Sequence, residues 1–129
     1  MSATNKIVRM GESAGKQCVA ANEAVALIRD KWTILVLGAL TREPSLRYRE
    51  LQREVVGVSQ RMLTLTLKTL EENGLVKRTV FATVPPRVDY ELTPMGRALS
   101  KPLKGLLEWS LENREAMAEA RRAYTRKTG

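Results

Sequence analysis

Apolar positions recur at helical spacing along most of the chain and change to alternation in one short stretch. From Cys18 to Ile28 the run CVAANEAVALI places Val25, Ile28 and, a turn on, Trp32 on one helical face. The charged triplet Arg29-Asp30-Lys31 interrupts, and WTILVLGAL is then apolar for nine residues. Period alone cannot separate a buried strand from a buried helix there. The following TREPS, a stop with a serine start signal, favours a helix with Trp32, Leu35, Val36 and Leu40 on one side. Residues 46–55 (LRYRELQREV) bring Leu46, Leu51 and Val55 together with Arg and Glu outward, a short amphipathic helix ended by Gly57. Ser59 is a suitable N-cap for a helix over 60–73, where Leu63, Leu67 and Leu70 make a core stripe flanked by Met62. Asn73-Gly74 closes it, glycine suiting the left-handed position.

The period then becomes two. Residues 75–82 (LVKRTVFA) and 87–92 (RVDYEL) read as two antiparallel strands joined by the stiff TVPP. Thr93-Pro94 starts a long helix to about residue 124, with a bend expected near Pro102 and Leu99, Leu103, Leu106, Leu107 and Leu111 as its apolar face. Residues 1–17 are polar, carry Gly and Ser and show no period, and are expected to be a flexible arm. Residues 18–124 are the folded domain and 125–129 a basic tail. A short helix, a tight gap, a second helix and a hairpin spell a winged helix-turn-helix, an α+β class dominated by α, with helices before and after it.

Composition narrows the function. A chain of 129 residues is one domain by size. With 22 basic against 14 acidic residues its net charge is +8, which suits a polyanion, nucleic acid or anionic membrane alike. The chain has no histidine and one cysteine, so histidine catalysis, histidine metal ligation and an intrachain disulfide are all excluded. No acid–base pair converges and no glycine-rich loop cradles phosphate, so an enzyme, a cofactor and a metal are not expected. No apolar run approaches a membrane span and no signal peptide is evident, so a cytoplasmic protein without membrane attachment is expected.

The local sorting of charge says more than its total. By segment the net charge is +2 over 1–45, +2 over 46–93 and +4 over 94–129, so the presumptive reading region is not the most basic. It is, however, free of acids from Val56 to Leu70 and again from Asn73 to Val88. Ser59, Gln60, Arg61, Thr64 and Lys68 lie opposite the leucine stripe of helix 60–73. Arg and Gln read base edges in the major groove, while Ser, Thr and Lys suit phosphates. Arg87, beside the Pro85-Pro86 tip, reads either as a DNA contact or as a strand-edge charge that blocks sheet pairing. Lys77 and Arg78 alternate faces, so at most one points at DNA. Arg47 and Tyr48 open helix 46–55 and are counted with the DNA-facing set, Tyr48 either reaching phosphate through its hydroxyl or packing inward. Trp32 and Trp109 read as core or dimer anchors. Glu108, Glu112, Glu115 and Glu119 read as solvated helix charges.

Taken in order, Cys18, Lys31-Trp32, WTILVLGAL, LRYREL, SQRMLTLTLKTLEENGLVKR and VPPRVDYELTPMGRAL resemble the HxlR-type transcriptional regulators, a winged-helix branch close to the MarR type. The likeness spans Cys18 to Trp109. It implies a homodimer on a pseudo-palindromic operator, acting as a repressor. Helix 59–73 would lie in the major groove, hairpin 75–92 on the adjacent backbone, and the dimer would form through residues about 18–30 and 95–124. Val19 stands where the family often has proline, and Arg29-Asp30 where it has a small, glycine-containing pair. Similar regulators sense electrophiles, quinones or oxidants through a cysteine at the position of Cys18, where a small thiol is a further candidate partner. Lys16 and a nearby helix N-terminus would make such a thiol more reactive, and the competing reading is a small, partly buried hydrophobe. Two other readings stay open: the same regulator switched by a non-thiol ligand at the dimer interface, and a winged-helix module that binds protein.

Overall fold

The computed structural model describes residues 3–128. Its elements are α1 (Ala3–Ile28), α2 (Lys31–Arg42), β1 (Leu46–Arg47), α3 (Tyr48–Glu54), α4 (Gln60–Glu72), β2 (Val76–Phe81), β3 (Arg87–Leu92) and α5 (Pro94–Thr128). The winged helix-turn-helix read from the sequence is the observed architecture, α3 and α4 forming the helix-turn-helix and β2–β3 the wing. Among the described residues no helix is long and apolar enough to cross a membrane.

α2 is the central helix. It packs on α1, α3, α4, α5 and β3, which is why its sequence is apolar on almost every side. Asp30 caps it, the carboxylate accepting from the Trp32 amide at 2.9 Å. Val36, Leu37, Ala39 and Leu40 are buried, whereas Leu35, expected in the core, is 45% exposed. An apolar run with no polar gap carries no phase, so Val36 and Leu40 fall as expected while Leu37, not Leu35, completes the buried side. Trp32 is partly buried against the core, and Lys31 lies over its ring at 4.6 Å.

α4 closes the core with Leu63, Leu67 and Leu70, all fully buried, and Met62 packs at their edge. It ends at Asn73 and Gly74, whose φ of +72° is the left-handed turn that glycine permits. β2 and β3 pair antiparallel from Val76↔Leu92 to Phe81↔Arg87. A third strand, the two-residue β1, pairs with β3 on its other edge (Leu46↔Tyr90, Arg47↔Asp89), so the order is β1-β3-β2. The sequence analysis places these two residues in the helix that follows, because two residues hold no period.

Thr93 ties the wing to α5. Its hydroxyl donates to the Gly74 carbonyl at 2.6 Å and accepts from the Gly96 amide at 3.1 Å, while Pro94 takes the first helical position. Gly96 is buried, and a Cβ there would collide with the Leu75 carbonyl oxygen. α5 runs through Pro102 as one element and continues to Thr128, four residues beyond the expected end, so the basic tail is helical there. Its apolar face differs from the reading too. Leu103 is buried and Leu99 packs on the core, but Leu106, Leu107 and Leu111 are exposed. Trp109 is also exposed and anchors nothing in its own chain's core.

The arm expected over residues 1–17 is helical from Ala3 onward, α1 being one element of 26 residues. That segment holds no proline, so nothing in its sequence interrupts a helix, and it carries no apolar period by which one could be read. Met1 and Ser2 of the expected arm and Gly129 of the tail lie outside the described residues.

Candidate nucleic-acid interface

α4 presents its outer face on a rigid mount. Ser59 caps it, Oγ accepting from the Met62 amide at 3.1 Å. From α3, the Tyr48 hydroxyl reaches across the turn, donating to the Gln60 carbonyl at 2.9 Å with its oxygen 3.0 Å from Thr64 Oγ1. Tyr48 is therefore half-buried and fixes the angle between the two helices, the inward packing of its two readings. A hydroxyl bonded to a carbonyl and a side chain has little left for a phosphate.

Ser59, Gln60, Arg61, Thr64 and Lys68 are all exposed. No carboxylate lies within 4 Å of Arg61 among the described residues. Lys68 sits 4.0 Å from Glu72, a solvent-exposed pair at its distance limit that contributes little. The sequence analysis misses Leu65, which lies on the outward side of α4 and is 48% exposed. An exposed leucine between Thr64 and Lys68 offers an apolar surface of the kind that meets a thymine methyl. Its signal is present in the sequence: it falls off the 63/67/70 stripe and four residues after Arg61.

The wing holds its charge differently from expectation. Arg87 makes a two-pronged pair with Asp89, Nε to Oδ1 at 2.9 Å and Nη2 to Oδ2 at 2.8 Å, and lies 5.1 Å from the Phe81 ring centre. The bidentate hydrogen bond from Arg87 holds the Asp89 carboxyl below its ordinary range, with Arg47 across the β1–β3 register adding to the effect, and it raises Arg87 in turn. The strand-edge reading of Arg87 gains from this, because its guanidinium is committed inside the wing. Ser45, Arg47, Arg49, Arg53 and Arg87 line one cleft with Glu50 and Asp89, beside α3. Arg49 and Arg53 are additions to the sequence-derived set. Lys77 and Arg78 are both exposed, and Arg78 lies beside the Tyr90 ring hydroxyl, whose burial raises its titration.

Cys18 is exposed, in the middle of α1. The helix N-terminus at Ala3 is fifteen residues away, roughly 22 Å along the axis at ~1.5 Å per residue, and cannot act on the thiol. Lys16, two residues along a helix, points to another side. The longer α1 thus moves the helix N-terminus away from Cys18, and within the single chain the side chain is not buried.

Comparison with known proteins agrees with this geometry. A family model described as HxlR-like helix-turn-helix matches residues 27–118. The chain is 35% identical over 102 residues, 79% of either chain, to the uncharacterized HTH-type transcriptional regulator YtfH of Escherichia coli (strain K12). The structure of the redox regulator HypR in its reduced form is similar with a TM-score of 0.72 and 33% identity, covering 78% of this chain and 98% of HypR. The reduced form of the transcriptional regulator YodB from B. subtilis is similar with a TM-score of 0.62 and 31% identity, covering 69% of this chain and 86% of YodB.

Proposed function

The chain belongs to the HxlR-like helix-turn-helix family of transcriptional regulators, and we propose on that premise that it is a homodimeric repressor reading a pseudo-palindromic operator in the cytoplasm. The observation that carries this reading is the outer face of α4, which is exposed, free of acids from Gln60 to Leu70 and braced by Ser59 and Tyr48. Arg61 and Gln60 read base edges in the major groove, Leu65 meets a thymine methyl, and Lys68 with Ser59 holds phosphate. The cleft of Arg47, Arg49 and Arg53 follows the backbone beside it. Two copies of α4 must stand about 34 Å apart to enter successive major grooves. The surfaces available to set that distance are α1 and α5, which expose Val19, Val25, Leu106, Trp109 and Leu111. The protein acts by binding, and no catalytic step is assigned to it.

Fluorescence anisotropy on DNA from the region upstream of its own gene tests this. Affinity falls steeply with salt, and Arg61→Ala weakens specific binding by about 1–3 kcal/mol while leaving non-specific binding in place. A shallow salt slope and an Arg61→Ala variant equal to wild type point instead to a protein-binding winged helix.

Regulation through Cys18 is supported by its exposure on a dimerisation helix and by the likeness to proteins described as redox regulators. With one cysteine per chain, the thiol is alkylated by an electrophile, capped by a small thiol under oxidation, or oxidised to a disulfide with its dimer mate. Each changes α1 and hence the spacing of the two α4 helices. Diamide or quinone treatment lowers operator affinity of the wild type and leaves Cys18→Ser unaffected. Equal responses in both remove the cysteine from the switch.

A further inference from the structure

At ~100° per residue, Arg61, Leu65, Lys68 and Glu72 fall within about 60° of one another around α4, on the side turned away from buried Leu63, Thr66, Leu67 and Leu70. They form the line that advances furthest into whatever α4 enters. Leu65 is the only apolar residue of the four, 48% exposed and outside the core cluster. Thr64 beside it is held at Tyr48, and Lys68 and Glu72 stand 4.0 Å apart one turn on. Arg61, one turn before it, has no carboxylate within 4 Å among the described residues.

In the major groove every base edge offers hydrogen-bond donors or acceptors, and thymine adds one methyl group at C5. Leucine has neither donor nor acceptor. Pressed against an amino group, a ring nitrogen or a carbonyl, it displaces water and returns no hydrogen bond, which costs affinity. Pressed against a C5 methyl, it buries hydrocarbon on both sides, which adds affinity. Phosphate is no better a partner for it, and Arg61 and Lys68 on either side already carry the charge that phosphate needs. A protein surface is the poorer occupant, because a single leucine between two cations is far smaller than the apolar patches that dock proteins. The preferred partner of Leu65 is therefore the methyl group, whichever base carries it. 5-Methylcytosine bears the same methyl on the same ring carbon as thymine.

Arg61 adds a register. It stands one helical turn from Leu65, about 6 Å along the axis at ~1.5 Å per residue, which is about two base-pair steps of ~3.4 Å. A guanine held by Arg61 thus lies within about two base pairs of the methyl met by Leu65. We propose that Leu65 makes this regulator responsive to pyrimidine C5 methylation. α4 selects a C5-methylated pyrimidine, thymine or 5-methylcytosine, at that distance from the guanine, and 5-methylcytosine in place of cytosine tightens binding. This response rests on the DNA-binding reading of α4.

A duplex selected by the full chain from a random-sequence library provides the probe. Each pyrimidine of its half-sites is replaced in turn by thymine, deoxyuridine, cytosine and 5-methylcytosine, and binding is read by fluorescence anisotropy. One position per half-site, within about two base pairs of the guanine whose preference Arg61→Ala relaxes, discriminates by the methyl alone. There deoxyuridine binds about fourfold weaker than thymine, and cytosine about fourfold weaker than 5-methylcytosine, the value of one buried methyl. Leu65→Ala, at an exposed position, keeps the wild-type Tm and salt slope and removes both differences. Equal binding within both pairs at every position, or differences that survive in Leu65→Ala, overturns the role of Leu65. A thymine preference without a 5-methylcytosine preference overturns the response to cytosine methylation. A chain that selects no sequence and loses no affinity with salt overturns the DNA-binding reading itself, an outcome distinct from either.

Discussion

Single residues set how closely this fold can close. Gly96 lets the first turn of α5 rest directly on the Leu75 carbonyl, so any side chain there must push the helix away from the end of α4. Gly96→Ala therefore lowers stability by about 1–3 kcal/mol through overpacking, read as a lower urea midpoint at unchanged m-value. Much of this scale is legible in sequence when chemistry is local. Ser59, Gly74 and Thr93-Pro94 act as the caps and stops their residue types announce, because the capping contact of each is made within a few residues of itself. Arg87 stays open between two readings in the sequence for the opposite reason. A basic residue at a strand tip signals charge, and its partner Asp89 two positions on becomes a partner only once the pleat turns both side chains to one face. Leu35 and Leu37 are likewise inseparable until α2 is seen surrounded by five elements.

At the level of elements, the helix-turn-helix is held as a unit by one phenol. Tyr48 on α3 satisfies the Gln60 carbonyl and meets Thr64, so the first turn of α4 cannot tilt without breaking both contacts. Tyr48→Phe keeps the ring's packing and loses these bonds. The expected cost is about 1 kcal/mol in stability, seen in thermal denaturation, with a larger relative loss in operator affinity than in Tm. α3, α4, the two long strands and α5 are legible because each buries one face and so carries a period, whereas α2, covered on several sides, is legible through the stop signal that follows it. β1 and the first half of α1 are not. The former is too short to repeat, and the latter carries no apolar stripe in its sequence.

The whole molecule leaves its two terminal helices partly unclothed. Leu111 is 75% exposed and Trp109 about half, on an element of 35 residues whose core contacts end near Leu103. If α5 completes its burial in a dimer, Leu111→Glu yields a folded monomer in sedimentation equilibrium, with unchanged near-UV spectra and DNA affinity reduced to that of one half-site. A dimer that survives the substitution places the interface elsewhere. The candidate site follows the same division. The α4 face is readable from one chain because it must stay polar there, while the mate-facing positions look like ordinary exposed leucines until both helices are seen.

The length of α1 carries a thermodynamic consequence. Among its described side chains, packing on its own chain is confined to the end, where Leu27 and Ile28 meet the core, and from Ala14 to Ala26 it is exposed. An isolated helix in water is marginal without tertiary support. Its helicity is then coupled by mass action to whatever covers it, and if a second copy does so, dilution loosens the helix as it separates the subunits. The protein's own cellular abundance thereby becomes an input to its shape.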